Sequence, residues 1–280
     1  MRFGDSPESD NFEDRTGQSG GGGLNLGGGL GMILPLVASR FGIVGVLILV
    51  LGYCALTQLG GGGGIVGGSS ESGSSKLDPA TGRFMRQVLG STEQVWGQIF
   101  TQAGAKYTPT RLVAYTDYNQ SGCGAAQAAM GPFYCPTDKQ IYIDPAFFEE
   151  LSRRFQAPGD FAQAYVIAHE VGHHIQDLEG TLDKAQSAQA RIGKAEGNAV
   201  QVGVELQADC YAGVWANRSG ALEQGDMEEG MRAAEAIGDD MLTKGQVSPD
   251  NFTHGTSAQR MEALRNGLSS GNPSTCNYAK

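Results

Sequence analysis

Ala168-His169-Glu170-Val171-Gly172-His173-His174 holds three of the four histidines in a chain of 280 residues. Residues four apart on a helix lie one above the other on one face. His169 and His173 can therefore offer two imidazole nitrogens to one metal ion. Glu170, next to the first histidine, can reach a water activated by that metal and act as its general base. Phe161, Tyr165, Ile167, Ala168, Val171 and Ile175 supply the apolar surface of a largely buried helix, with Asp160 as its N-cap and Gly180 just past its end. Gly172 costs such a helix about 1 kcal/mol relative to alanine, which makes sense if something packs closely against the metal-bearing face. His174 points away from the pair and reads as solvent-facing or supporting, rather than as a ligand.

A catalytic zinc site uses three protein ligands and keeps one position open. The remaining histidine is His254, and the competing donor is a carboxylate. Glu205 and Asp209 share a helical face within Gly203 to Gly213, among the apolar residues Leu206, Tyr211 and Val214. Two buried carboxylates are costly unless they are paired or bind metal. Glu205 as third ligand, with Asp209 accepting a hydrogen bond from a ligand histidine, satisfies both. His254 as third ligand, with Glu205 structural, stays open from the residues alone.

The rest of the chain divides by composition. Net charge is -10 with no basic patch, which argues against nucleic acid as a partner. Residues 1–30 are polar and then glycine-rich and read as a disordered cytoplasmic tail. Residues 31–59 contain Phe41 to Leu56 without a charge, and they read as a transmembrane signal anchor. Arg2, Arg15 and Arg40 precede that segment and no Lys or Arg follows until Lys76, which predicts a single-pass inner-membrane protein with its catalytic domain extracytoplasmic, periplasmic or at the cell surface. Residues 60–76 read as a Gly/Ser linker. Residues 77–280 read as the globular domain. Helices are expected over 81–89 and 91–103, the latter with a Ser91/Gln94 capping box. Strands are expected over 111–115, 133–135 and 140–143, and further helices from Pro145 to about Phe155 and from Thr256 to Gly267. Of five cysteines, Cys54 lies in the apolar segment. The other four suggest Cys123–Cys135 and Cys210–Cys276, a pairing that fits a domain outside the reducing cytosol.

Gly131-Pro132-Phe133-Tyr134-Cys135-Pro136, Ala168 to His174, Glu205 to Gly213 and Phe252-Thr253-His254-Gly255-Thr256-Ser257 together resemble the neutral zinc metallopeptidase family of bacterial membrane-anchored proteins. That family is similar to the thermolysin-like zincins. The resemblance implies an α+β, mainly helical zincin-like domain with a small antiparallel sheet, here preceded by one transmembrane helix. It also implies Zn2+ held by His169, His173 and Glu205, Glu170 as base, and a peptide or protein substrate. His254 is then an oxyanion stabiliser, a ligand or a structural residue, with Tyr211 and Tyr142 as weaker candidates for the oxyanion. Two other functions share the metal residues: a zinc hydrolase acting on a non-peptide cell-envelope amide, and a zinc-containing scaffold without turnover.

Overall fold

The computed structural model describes residues 1–4, 6–18 and 74–279. The sheet that borders the site runs in the order β1 (Phe12–Asp14), β2 (Arg111–Ala114), β6 (Gln140–Ile143), β5 (Phe133–Cys135). β1 and β6 both pair with β2 in parallel, and only β5 is antiparallel. The sheet is therefore mixed, where an antiparallel one was expected. A separate antiparallel hairpin joins β3 (Tyr118–Ser121) to β4 (Gly124–Gln127). Alternation along the strands splits the sheet's two faces. Leu112, Ala114, Ile141 and Ile143 join the helical core, while Val113, Tyr115, Tyr142 and Cys135 make a smaller core with Ala126.

The helices are α1 (Pro79–Gln102), α2 (Ala146–Arg153), α3 (Asp160–Leu178), α4 (Thr181–Gln189), α5 (Lys194–Ser219), α6 (Asp226–Ala236), α7 (Asp239–Leu242) and α8 (Ser257–Ser270). α1 is one helix where two were expected. Its N-cap is Asp78, whose side chain accepts from the Thr81 amide. Ser91 is buried in mid-helix and accepts a hydrogen bond from Trp215 Nε1 at 3.1 Å instead of capping. α8 starts as the sequence suggests, with a Thr256/Gln259 capping box.

Two close crossings set the frame of the site. A Cβ on Gly172 of α3 would lie 2.9 Å from the Ala208 carbonyl oxygen of α5, so backbone packs against the helix that carries His169 and His173 there. A Cβ on Gly267 of α8 would collide with the Cys210 carbonyl of α5. α5 is thus held tightly on both sides. Both expected disulfides form: Cys123–Cys135 staples the β3–β4 hairpin to β5, and Cys210–Cys276 ties the C-terminal segment to α5.

The membrane reading is overturned. Residues 12–14 pair with β2, and residues 1–18 belong to the same folded unit as 74–279, so the expected disordered tail is ordered over that span. The far side of the insertion is tied to the same place, since the Lys76 amide donates to Thr16 Oγ1 at 3.0 Å. A single crossing between these two parts would put them on opposite faces of a bilayer, where β1 could not pair with β2. Among the described residues, no helix is long and apolar enough to cross a membrane. The anchor assigned to 31–59, Cys54 within it, and most of the 60–76 linker lie outside the described residues.

Candidate metal centre

α3 carries His169, Glu170 and His173, and α5 carries Glu205. The two helices pack against each other through Gly172 and Ala208. One donor atom from each of His169, His173 and Glu205 lies within 4.8 Å of the others. Glu205 Oε2 is 3.2 Å from His169 Nε2 and 3.6 Å from His173 Nε2. Two donors about 2.1 Å from one tetrahedral zinc lie roughly 3.4 Å apart, so this donor set fits the ion in both size and chemistry.

Each donor's other atom is held from behind. His169 Nδ1–H donates to Asp209 Oδ1 at 2.8 Å. His173 Nδ1 sits 2.9 Å from Gln176 Oε1, an acceptor that fixes the proton on Nδ1. Glu205 Oε1 accepts from Gln201 Nε2 at 3.0 Å. Both Nε2 atoms and Glu205 Oε2 are thereby left facing one another. Asp209 is itself saturated. It accepts from the Tyr165 hydroxyl at 2.6 Å, and from Arg260 Nε and Nη2 at 2.8 Å each. Arg260 also donates to the Ile237 carbonyl, and is buried at 2 % exposure.

The electrostatics follow from this packing. Burial would raise the Asp209 carboxyl, but the Arg260 guanidinium and the His169 imidazole outweigh it and hold the group at about 2. Burial would lower His169, but Asp209 and Glu205 raise it to about 10. His173 is raised in the same sense, its burial outweighed by Glu205, and Glu205 is held well below the usual carboxylate range against its burial by the two histidines. These carboxylates favour protonated imidazoles, so a metal ion binding here competes with protons.

The centre opens into a cavity of about 670 Å³. Glu170 lines it beside the donors. So does His254, whose ring is about half exposed. His254 Nδ1 lies 3.1 Å from Asp239 Oδ1, while Asp239 Oδ2 accepts the backbone amides of Thr253, His254 and Gly255. The edge strand β5 contributes to the lining with Phe133 and Tyr134, next to Pro132, and α4 lines the cavity as well.

Other expectations move. His174 is 1 % exposed, where a solvent-facing or supporting residue was expected. It is held between Tyr134 Oη and the Thr108 carbonyl, away from the donors. Tyr211 gives its hydroxyl to Glu179 and Tyr142 gives its own to Asp138, and neither lines the cavity. Asp160 is the first residue of α3 rather than its N-cap, and the Phe161 amide donates to Glu229 instead. Gln176, Gln201, Arg260 and Asp239 were not singled out in the sequence, and Tyr165 was read only as apolar surface. Gln176 and Gln201 lie one helical turn from His173 and Glu205, a spacing that could have found them. Arg260 and Asp239 come from distant segments and carry no such signal.

Two histidines one turn apart on a buried helix and a glutamate from the neighbouring helix thus form a group that could hold one metal ion, with a second glutamate in the same open cleft. The chain belongs to the family described as "Putative neutral zinc metallopeptidase", whose model matches residues 1–279. It is 44 % identical over 286 residues to "Uncharacterized protein YpfJ" of Escherichia coli strain K12, covering 99 % of this chain and 98 % of that protein. It is 38 % identical over 204 residues, 66 % of each chain, to "Uncharacterized protein Mb2605" of Mycobacterium bovis, and equally to "Uncharacterized protein Rv2575" of Mycobacterium tuberculosis. No solved structure matches the chain.

Proposed function

We propose that the protein is a zinc-dependent peptidase that hydrolyses peptide bonds in the cleft lined by β5 and α4. The observation that carries this reading is the meeting of His169 Nε2, His173 Nε2 and Glu205 Oε2 beside Glu170 in one open cavity. Zinc bound there supplies Lewis acidity that lowers the pKa of water and polarises the scissile carbonyl. Glu170 takes the proton from the attacking water and passes it to the leaving amine. His254 is held through Nδ1 by Asp239, which leaves its Nε2 for the oxyanion of the tetrahedral intermediate. β5 is an edge strand, and its outer backbone groups suit an extended peptide laid alongside it. That preference for an extended backbone favours a peptide over an isolated cell-envelope amide.

The test compares wild type with Glu170→Gln in a peptide-cleavage assay, with zinc content measured on the same samples. The reading expects about a hundredfold or greater loss of turnover, since general-base catalysis contributes 10²–10⁴-fold, with zinc retained. Full activity in Glu170→Gln would refute it, and zinc retention without cleavage of any peptide by wild type would favour the scaffold function.

A further inference from the structure

Glu205 is supported through the wall of the cleft. Gln201, one turn earlier on α5, donates from Nε2 to Glu205 Oε1 at 3.0 Å. Gln201 Oε1 in turn accepts from Gln189 Nε2 at 3.1 Å. Gln189 is the last residue of α4, and its Nε2 also donates to the Gly197 carbonyl on α5 at 3.1 Å. All three side chains line the cavity. α4 has no fully buried residue, and it begins after Gly180 in the left-handed region (φ 71°). Few buried contacts hold it in place, so the Gln189 bonds matter for where it sits.

The relay has a direction. A carboxylate only accepts, so Gln201 must turn its NH2 toward Glu205. A side-chain amide has one oxygen end and one nitrogen end, and the network alone decides which faces where. Gln189 occupies the oxygen end, which leaves the NH2 for Glu205. An amide turned round would set its oxygen against the carboxylate and push Glu205 away from the point where its Oε2 meets the two histidines.

We propose that Gln201 is the positioning residue of Glu205, and that Gln189 sets its orientation from α4, so the cleft wall governs the geometry of the third metal donor. This rests on the zinc reading above. It separates from simple electrostatics at one substitution. Gln189→Glu adds a negative charge near a divalent cation, which by charge alone would tighten binding. In the relay it weakens binding, because a carboxylate at 189 draws the Gln201 NH2 to itself and reverses the amide.

The experiment uses the full-length protein and zinc itself as probe. Its affinity is measured by chelator competition, the Co2+ visible spectrum reports the donor geometry, and the thermal midpoint of the metal-free proteins serves as control. Gln201→Met keeps side-chain volume and removes the donor, and the relay predicts about tenfold weaker zinc binding, within the range for losing such a support. Gln189→Glu also binds more weakly and shifts the Co2+ spectrum. Gln189→Met/Gln201→Met is no weaker than Gln201→Met alone, since the second link has nothing left to orient. The metal-free midpoints stay at the wild-type value. Wild-type affinity in Gln201→Met, or tighter binding in Gln189→Glu, overturns the relay while leaving the zinc centre standing. A wild type that binds no zinc overturns both.

Discussion

Replacing Asp209 with asparagine tests how the site is held apart from what it binds. The carboxylate is fully buried and accepts from Tyr165, His169 and two nitrogens of Arg260. Its carboxyl is held at about 2 against an ordinary 3.8, so its surroundings favour the charged form by about 2–3 kcal/mol. The asparagine also leaves the buried Arg260 guanidinium without its counter-charge, and breaking a buried pair from one side costs about 3–5 kcal/mol. The expected loss is therefore about 3–5 kcal/mol, a large share of a typical total of about 5–15 kcal/mol. Urea unfolding of the metal-free protein measures it. A double-mutant cycle with Arg260→Met should return a coupling of at least about 2 kcal/mol, because the double variant no longer strands a charge. A loss below about 1 kcal/mol, or additive effects, would show that the Asp209–Arg260 pair does not brace His169.

The same carboxylate predicts a pH dependence. Its folded pKa is depressed, so its contribution is complete above about pH 4 and lost as pH falls through about 2, and a plot of thermal midpoint against pH should lose that acid slope in Asp209→Asn. Gly172→Ala places a methyl against the Ala208 backbone, and should cost about 1–3 kcal/mol in urea unfolding and weaken zinc binding by moving α3 off α5. Cys276→Ser opens a loop spanning 66 residues and should cost about 4 kcal/mol. It also loosens the Cys276 carbonyl that accepts from Gln207, the partner of Gln176, so an unchanged unfolding midpoint would count against that bracing. Asp239→Asn should lower kcat with little change in KM if His254 acts on the transition state, whereas a change confined to KM would assign His254 to substrate binding.

The placement of His169 and His173 on one helix face was legible because a spacing of four on a helix is a local property. Glu205 and Asp209 were legible because two carboxylates in an apolar helix demand a reason. The disulfides followed from loop length and position. What failed was non-local. The parallel pairing of β1 with β2 joins residues about a hundred positions apart, and nothing in the polar run around Phe12–Asp14 announces it. An apolar segment at 31–59 then looked like a boundary between a tail and a domain, when the chain on either side of it folds together. His174 does point away from the donor pair, but helical geometry does not tell what lies there, and the residue is buried. Here Tyr134 and the Thr108 carbonyl fill that space. Arg260 under Asp209 depends on the close approach of α8 to α5 at Gly267, which no local pattern encodes.

The most direct test is the zinc content of the full-length protein, measured side by side for wild type, His169→Ala, Glu205→Ala and His254→Ala. The account predicts about one zinc per chain in wild type and in His254→Ala, and its loss in the other two. A wild type without zinc, or a Glu205→Ala that keeps it while His254→Ala loses it, would contradict the account.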